Sequence, residues 1–201
     1  IVGEEAVLPG TTQNQRLRRY LLAGGRALVL QQTHSLFPGL DIAHQPTEVA
    51  HIRDAHHPLM QGISPKELAF FADDPYGLPS SDAWVTLNPY VKPVDGQVVR
   101  PLVDCSGGDF GVGGLTWAPV IEAQIGPGRL IATQLRLADR LDDLPVANKL
   151  LCNALRYLAA GVDERKPGAK AKSSRKKASR AVAPAAPAPA LGVDAEMAHR
   201  L

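Results

Sequence analysis

The sequence predicts an α/β protein built on a parallel strand–helix–strand unit, and three observations predict it. Residues 1–6 read as the end of a strand. Thr11-Thr12 then offers a cap to a helix whose Leu17, Tyr20 and Leu21 recur at helical spacing, and Gly24-Gly25 stops it. The run Ala27-Leu28-Val29-Leu30 is short and continuously apolar, the pattern of a strand covered on both faces. Strand, helix and strand with short connections make a parallel βαβ unit.

The remaining elements follow in order. Residues 34–62 read as a polar connection with little periodicity. It ends at Ser64-Pro65-Lys66-Glu67, a capping box with proline at the first helical position and Ile63 and Leu68 at the flanking staple positions. Residues 73–95, rich in Pro, Asp and Tyr, read as an excursion outside the main sheet. Gln97–Cys105 reads as a strand, with Pro101 arguing for an edge. The glycine-rich stretch 106–114 follows. Pro119–Ile125 and Arg129–Gln134 flank Gly126-Pro127-Gly128 as a hairpin. A helix then runs from Pro145 to Gly161, with Ala147, Leu150, Leu151, Ala154, Leu155 and Leu158 along one face.

Composition bounds the classes. An apolar fraction of 45% and a charged fraction of 21% are those of a globular protein. No window approaches the ~20 unbroken apolar residues of a membrane-spanning helix, so a membrane partner is not expected. Ile1-Val2-Gly3 reads as a strand already in progress, so the chain is expected to be a fragment; the compartment stays open. Residues 1–164 hold 13 Lys/Arg against 18 Asp/Glu, whereas residues 165–201 hold 9 against 2. An acidic domain over 1–162 is therefore expected to carry a basic, Ala/Pro-rich, disordered linker over 163–190. Residues 191–201 read as a short helix or the start of a further segment. The linker could touch nucleic acid only through nonspecific phosphate attraction. Cys105 and Cys152 have no metal-like spacing, and each is expected to be a small buried side chain.

Several stretches invite chemistry. His51, Asp54, His56 and His57 form the densest ligand-type cluster. Their spacing matches no standard zinc pattern, so a solvent-facing loop is the simpler reading, with His51, Asp54 and His56 as weak metal candidates and no cofactor expected. The 106–114 loop lacks the helix and lysine that a phosphate loop needs after it. Trp84, Trp117, Tyr76 and Tyr90 could stack on sugar rings, but are expected as core or interface anchors. The acidic pairs Asp73-Asp74 and Asp142-Asp143 lie in turn contexts, not on converging strands as glycoside hydrolysis requires.

Gly24–Gln32, His57–Gly62, Gly126–Leu135 and Pro145–Asn153, in that order, resemble the class I glutamine-amidotransferase-like domain. The closer likeness is to the version appended to large bacterial glycoside hydrolases, β-galactosidase-like and family 2 enzymes. The resemblance covers roughly residues 1–160. It implies a flavodoxin-like, three-layer parallel sheet with its N-terminal units missing and an antiparallel hairpin extension. It also implies a nucleophilic Cys in a Gly-x-Cys-x-Gly turn after the first apolar strand, served by a downstream His-x-Glu. Here Gln31-Gln32-Thr33 stands at that strand end, and the only histidine after residue 57 is His199. Both halves of the dyad are missing, so no catalytic residue is assigned.

The expected function is a non-catalytic accessory or assembly domain of a carbohydrate-active enzyme. Its expected partner is the glycosidase catalytic domain of the same parent chain, with a second copy of itself and carbohydrate as further candidates. Glu5, Gln32, Thr33 and Gln134 are placed by the topology near strand carboxyl ends, where polar groups either bind a small polyol or satisfy buried backbone. The rivals are an amidotransferase-like or ThuA-like hydrolase with a non-standard site, and a sugar-binding module.

Overall fold

The computed structural model describes residues 1–69, 71, 84–92, 98–106 and 114–160. Within them the elements are α1 (Thr12–Leu22), β1 (Arg26–Val29), β2 (Ala50–Ile52), α2 (Pro65–Ala69), β3 (Tyr90–Val91), β4 (Val99–Cys105), β5 (Trp117–Ile125), β6 (Gly128–Thr133) and α3 (Pro145–Ala160). Thr11 caps α1, its hydroxyl accepting from Asn14 N at 3.3 Å. The capping box forms as read: Glu67 N donates to Ser64 Oγ, and Ser64 N donates to Glu67 Oε2. Lys149 on α3 adds a 2.7 Å pair to the same carboxylate, and together these hold Glu67 down at about 2.

The strands form one mixed sheet in the order β1-β6-β5-β4-β2, with β3 joining β5. β1 pairs with β6 in parallel, and Val2 adds a parallel bridge on the other side of β1. Every other strand pairing is antiparallel. The expectation of a parallel sheet with a hairpin extension is corrected here. The β5–β6 hairpin lies inside the sheet, and β6 joins the parallel strand to the antiparallel ones. Local pattern shows a hairpin but not which neighbour its outer edges take.

Two further readings change. The stretch 34–62 contains β2, too short to show a period, and the excursion 73–95 returns to the sheet at β3. Pro101 does not mark an edge strand, because β2 covers the carboxyl half of β4. Pro101 instead adjoins a register shift against β5, where a missing N–H is tolerated. Residues 107–113 of the glycine-rich loop, Tyr76, the Asp73-Asp74 pair, the linker 163–190 and the segment 191–201 lie outside the described residues.

The sheet is buried on both faces, as the apolar run of β1 implied. Ala27, Val29, Leu130 and Ala132 pack with Leu21 of α1 on one face. Leu28, Ile131 and Val120 pack with Val146, Leu150, Ala154 and Leu158 of α3 on the other. The hairpin turn tucks beneath the end of α1. Gly126 takes φ 58, as the first residue of a two-residue primed turn must. A Cβ on Gly128 would stand 2.1 Å from Leu21 O and 2.8 Å from Gly25 O, so only glycine fits there. Among the described residues no helix is long and apolar enough to cross a membrane.

Candidate functional site

The carboxyl ends of β1 and β6 lie side by side because the two strands run parallel. Each strand delivers a glutamine just beyond its last pair. Gln32 N donates to Gln134 Oε1 at 2.9 Å, and Gln134 Nε2 donates to Gln32 O at 3.1 Å. The side chain of Gln134 thus continues the ladder after its own backbone has turned to Pro119 O. Gln32 Nε2 points back among Gly3 O, Leu30 O and Gln31 O at 2.7–3.0 Å. Three carbonyls around one nitrogen settle which way that carboxamide faces. Its Oε1 is left buried with no donor among the described residues, and both residues are at most 1% exposed.

Of the four strand-end candidates, the fold therefore brings Gln32 and Gln134 into direct contact. Glu5 adjoins them through its backbone, donating to Gln31 O at 3.0 Å, while its side chain stays exposed. It holds φ 51, unusual for a residue with a Cβ. Thr33 follows, half-buried. The two glutamines satisfy backbone groups that the diverging strands would otherwise orphan. Neither side chain is a nucleophile or a general base.

The loop candidates do not converge. His51 stands exposed on β2, across from Asp104. The Asp54 carboxylate pairs with Arg100 and accepts the His56 backbone N–H at 3.2 Å. His56 is held there by its backbone, not its imidazole. Among the described residues no group of three metal-type side chains could hold an ion.

A polar cluster that the sequence reading did not assemble lies at the opposite end of the sheet, under α3. Glu122 of β5 accepts from Tyr157 Oη at 2.6 Å and pairs with Arg129 Nε at 3.3 Å. His57 Nε2 stands 3.5 Å from Glu122 Oε2, and its ring meets Tyr157 edge-on at 4.7 Å. His57 Nδ1 accepts from Leu59 N at 3.1 Å, capping the short 3₁₀ turn Pro58–Met60. An acceptor at Nδ1 leaves the ring proton on Nε2, facing the carboxylate. His57 first, then Tyr157 and Arg129, hold the Glu122 carboxyl down at about 2. Burial and the adjacent carboxylate push the Tyr157 phenol up to about 12.

The cluster gathers His57, Tyr157 and Arg129 around the Glu122 carboxylate, with His57 Nδ1 taken up by the Leu59 backbone N–H. It ties β5, β6, α3 and the 3₁₀ turn together. His57 is buried and caps the turn before Gly62, which corrects the reading of a solvent-facing loop at that position. The available signal for the rest was Glu122 itself, a lone carboxylate inside the apolar run Trp117–Ile125. Elsewhere, Asp104 is buried with Lys92 at 2.7 Å and Arg53 at 3.1 Å. Tyr90 is buried, as expected of a core anchor, while Trp84 and Trp117 are half-buried. Cys105 is buried, and burial pushes its thiol up to about 12. Cys152 is exposed, which corrects the expectation for it, because α3 turns that position away from the sheet.

No family model matches the chain, and no curated protein matches it. Among solved structures it is similar to a cytoplasmic protein of Salmonella typhimurium, at 11% identity and a TM-score of 0.46, covering 72% of this chain and 59% of that one. It is also similar to a putative ThuA-like protein of Bacteroides uniformis, at 14% identity and a TM-score of 0.42, covering 75% of this chain and 65% of that one. The chain spans less than two thirds of the length of either.

Proposed function

We propose that this chain is an amidotransferase-like, flavodoxin-like α/β domain without catalysis of its own, serving as an accessory or assembly module of a carbohydrate-active enzyme. The reading rests on the reciprocal Gln32–Gln134 pair at the strand ends. In an open α/β sheet that end is where a nucleophile or ligand sits, and two interlocked, buried carboxamides occupy it. The order of the motifs supports the link to a glycosidase parent, with the catalytic domain of that parent as partner.

The test is turnover by the purified full chain with glutamine and with aryl glycosides. The expected result is none above the buffer blank. Hydrolysis of either substrate would overturn the reading, and turnover that survives Gln32→Ala would in addition place the working site away from the strand ends. The residues encoded ahead of Ile1 test the parent. A long region carrying paired carboxylates supports it, and a short leader alone overturns it.

A further inference from the structure

Residues 6–40 hold four arginines and no acidic residue, inside a domain where acids outnumber bases. Three of the four, Arg16, Arg18 and Arg19, stand exposed on α1. None of the three makes an ion pair among the described residues. Arg19 Nε reaches only the Gln15 carbonyl, at 3.4 Å. Arg16 and Arg19, three residues apart, share one face, where like charges repel. The negative end of the helix favours Arg19 in the last turn, but Arg16 lies a turn earlier.

Tyr20 completes that face, four residues beyond Arg16. Its ring is seated. A Cβ on Gly25 would stand 2.5, 2.6 and 2.6 Å from three neighbouring ring carbons, near-equal distances that put Gly25 under the flat of the ring and not at its edge. Tyr20 Oη donates to Arg26 O at 3.3 Å and fixes the far end. Tyr20 is nonetheless 54% exposed. Among the described residues no second ring and no guanidinium lies against it. The ring thus has one face on glycine, the other in solvent, and unpaired cations beside it. Single-stranded nucleic acid is bound by such a combination, stacking for a base and positive charge for the backbone.

We propose that the outer face of α1 binds single-stranded nucleic acid, with one base stacked on Tyr20 and neighbouring phosphates on Arg16 and Arg19. α1 carries no carboxylate, so sugar hydroxyls find no charged acceptor there, whereas phosphate oxygens find guanidinium donors. A membrane surface needs apolar side chains to insert. Apart from Tyr20 and, at its end, Leu22, the exposed positions of α1 hold Thr12, Gln13, Gln15 and the arginines. A duplex keeps its bases inside the stack and has none to lay on the ring. Recognition by one stack and two phosphates is tolerant of sequence.

The experiment titrates the full chain into a labelled 12-nucleotide oligothymidylate and into an abasic oligonucleotide of the same length, and follows fluorescence anisotropy over a salt series. The basic segment after residue 165 is present in every variant, so its own attraction for phosphate is common to all. Tyr20→Ala is expected to weaken oligothymidylate binding by about fivefold or more, the low end for one base stack, and to leave the abasic oligonucleotide unaffected. Tyr20→Phe, which keeps the ring, holds wild-type affinity for both. Arg16→Gln with Arg19→Gln lowers the slope of log affinity against log salt by about 1.4 for both, the worth of two single-strand phosphate contacts. A Tyr20→Ala loss shared by the abasic oligonucleotide, an unchanged slope in the arginine variant, or no binding of oligothymidylate would each overturn the proposal. So would tighter binding of a duplex, or equally tight, Tyr20-dependent binding of polygalacturonate or phosphatidylserine vesicles.

Discussion

Replacing Glu122 by Gln keeps the shape of the side chain and removes its charge from between His57, Tyr157 and Arg129. The carboxyl is held at about 2 against an ordinary 4.5, a gap that corresponds to roughly 3 kcal/mol of folding stability at neutral pH. Partial exposure of Arg129, whose side chain is 41% accessible, screens part of this and brings the expected loss to about 1–2 kcal/mol. The sign follows from a depressed carboxyl. Its contribution is complete above about 4.5 and disappears as pH falls toward 2. Urea denaturation of wild type and Glu122→Gln at pH 7, 5 and 3 measures it. The difference between the two proteins should hold from pH 7 to pH 5 and fall below half by pH 3. Glu67, also depressed, is present in both proteins and remote from the change, so it cancels in the comparison. A difference of the same size at pH 3 and pH 7 would refute the account, because it would make the effect one of shape and not of charge.

Two substitutions probe the rest of the frame. Gly128→Ala forces a Cβ against the Leu21 and Gly25 carbonyls and should destabilise by about 3 kcal/mol or more. Gly3→Ala, where the nearest atom is 3.7 Å away, should be nearly neutral in the same thermal melts; equal losses at the two positions would contradict the close approach. Gln134→Leu strands the Gln32 N–H and C=O in the core and should lose about 2–4 kcal/mol, with faster hydrogen exchange at the Gln32 amide. A loss below about 0.5 kcal/mol would mean that the two amides do not hold the strand ends together.

Much of the scaffold was legible because it is written in local chemistry. Thr11, the Ser64–Glu67 box, the Gly126-Pro127 turn and the stripe from Ala147 to Leu158 each state their structure within a few residues. The absence of a cysteine after β1 likewise needs no fold to be seen. The short strands β2 and β3 were not legible, because two or three residues cannot display a period. Pro101 misled for a related reason: a missing donor marks a bulge as well as an edge, and the choice depends on a strand fifty residues away in the chain.

The candidate site divides along the same line. Residue order alone established that Gln32 follows a buried strand and that His199 is the only histidine after residue 57. It did not establish that Gln134 is its partner, since 102 residues separate the two and only the parallel β1–β6 pairing sets them 2.9 Å apart. Glu122, His57, Tyr157 and Arg129 come from β5, a loop, α3 and β6, and no spacing in the chain announces that they meet. Strand and helix signals arise from neighbours a few residues apart, so the chain declares them directly. Pairing partners, ionic clusters and the face that leaves Cys152 in solvent arise from packing between distant segments, which the folded arrangement alone determines.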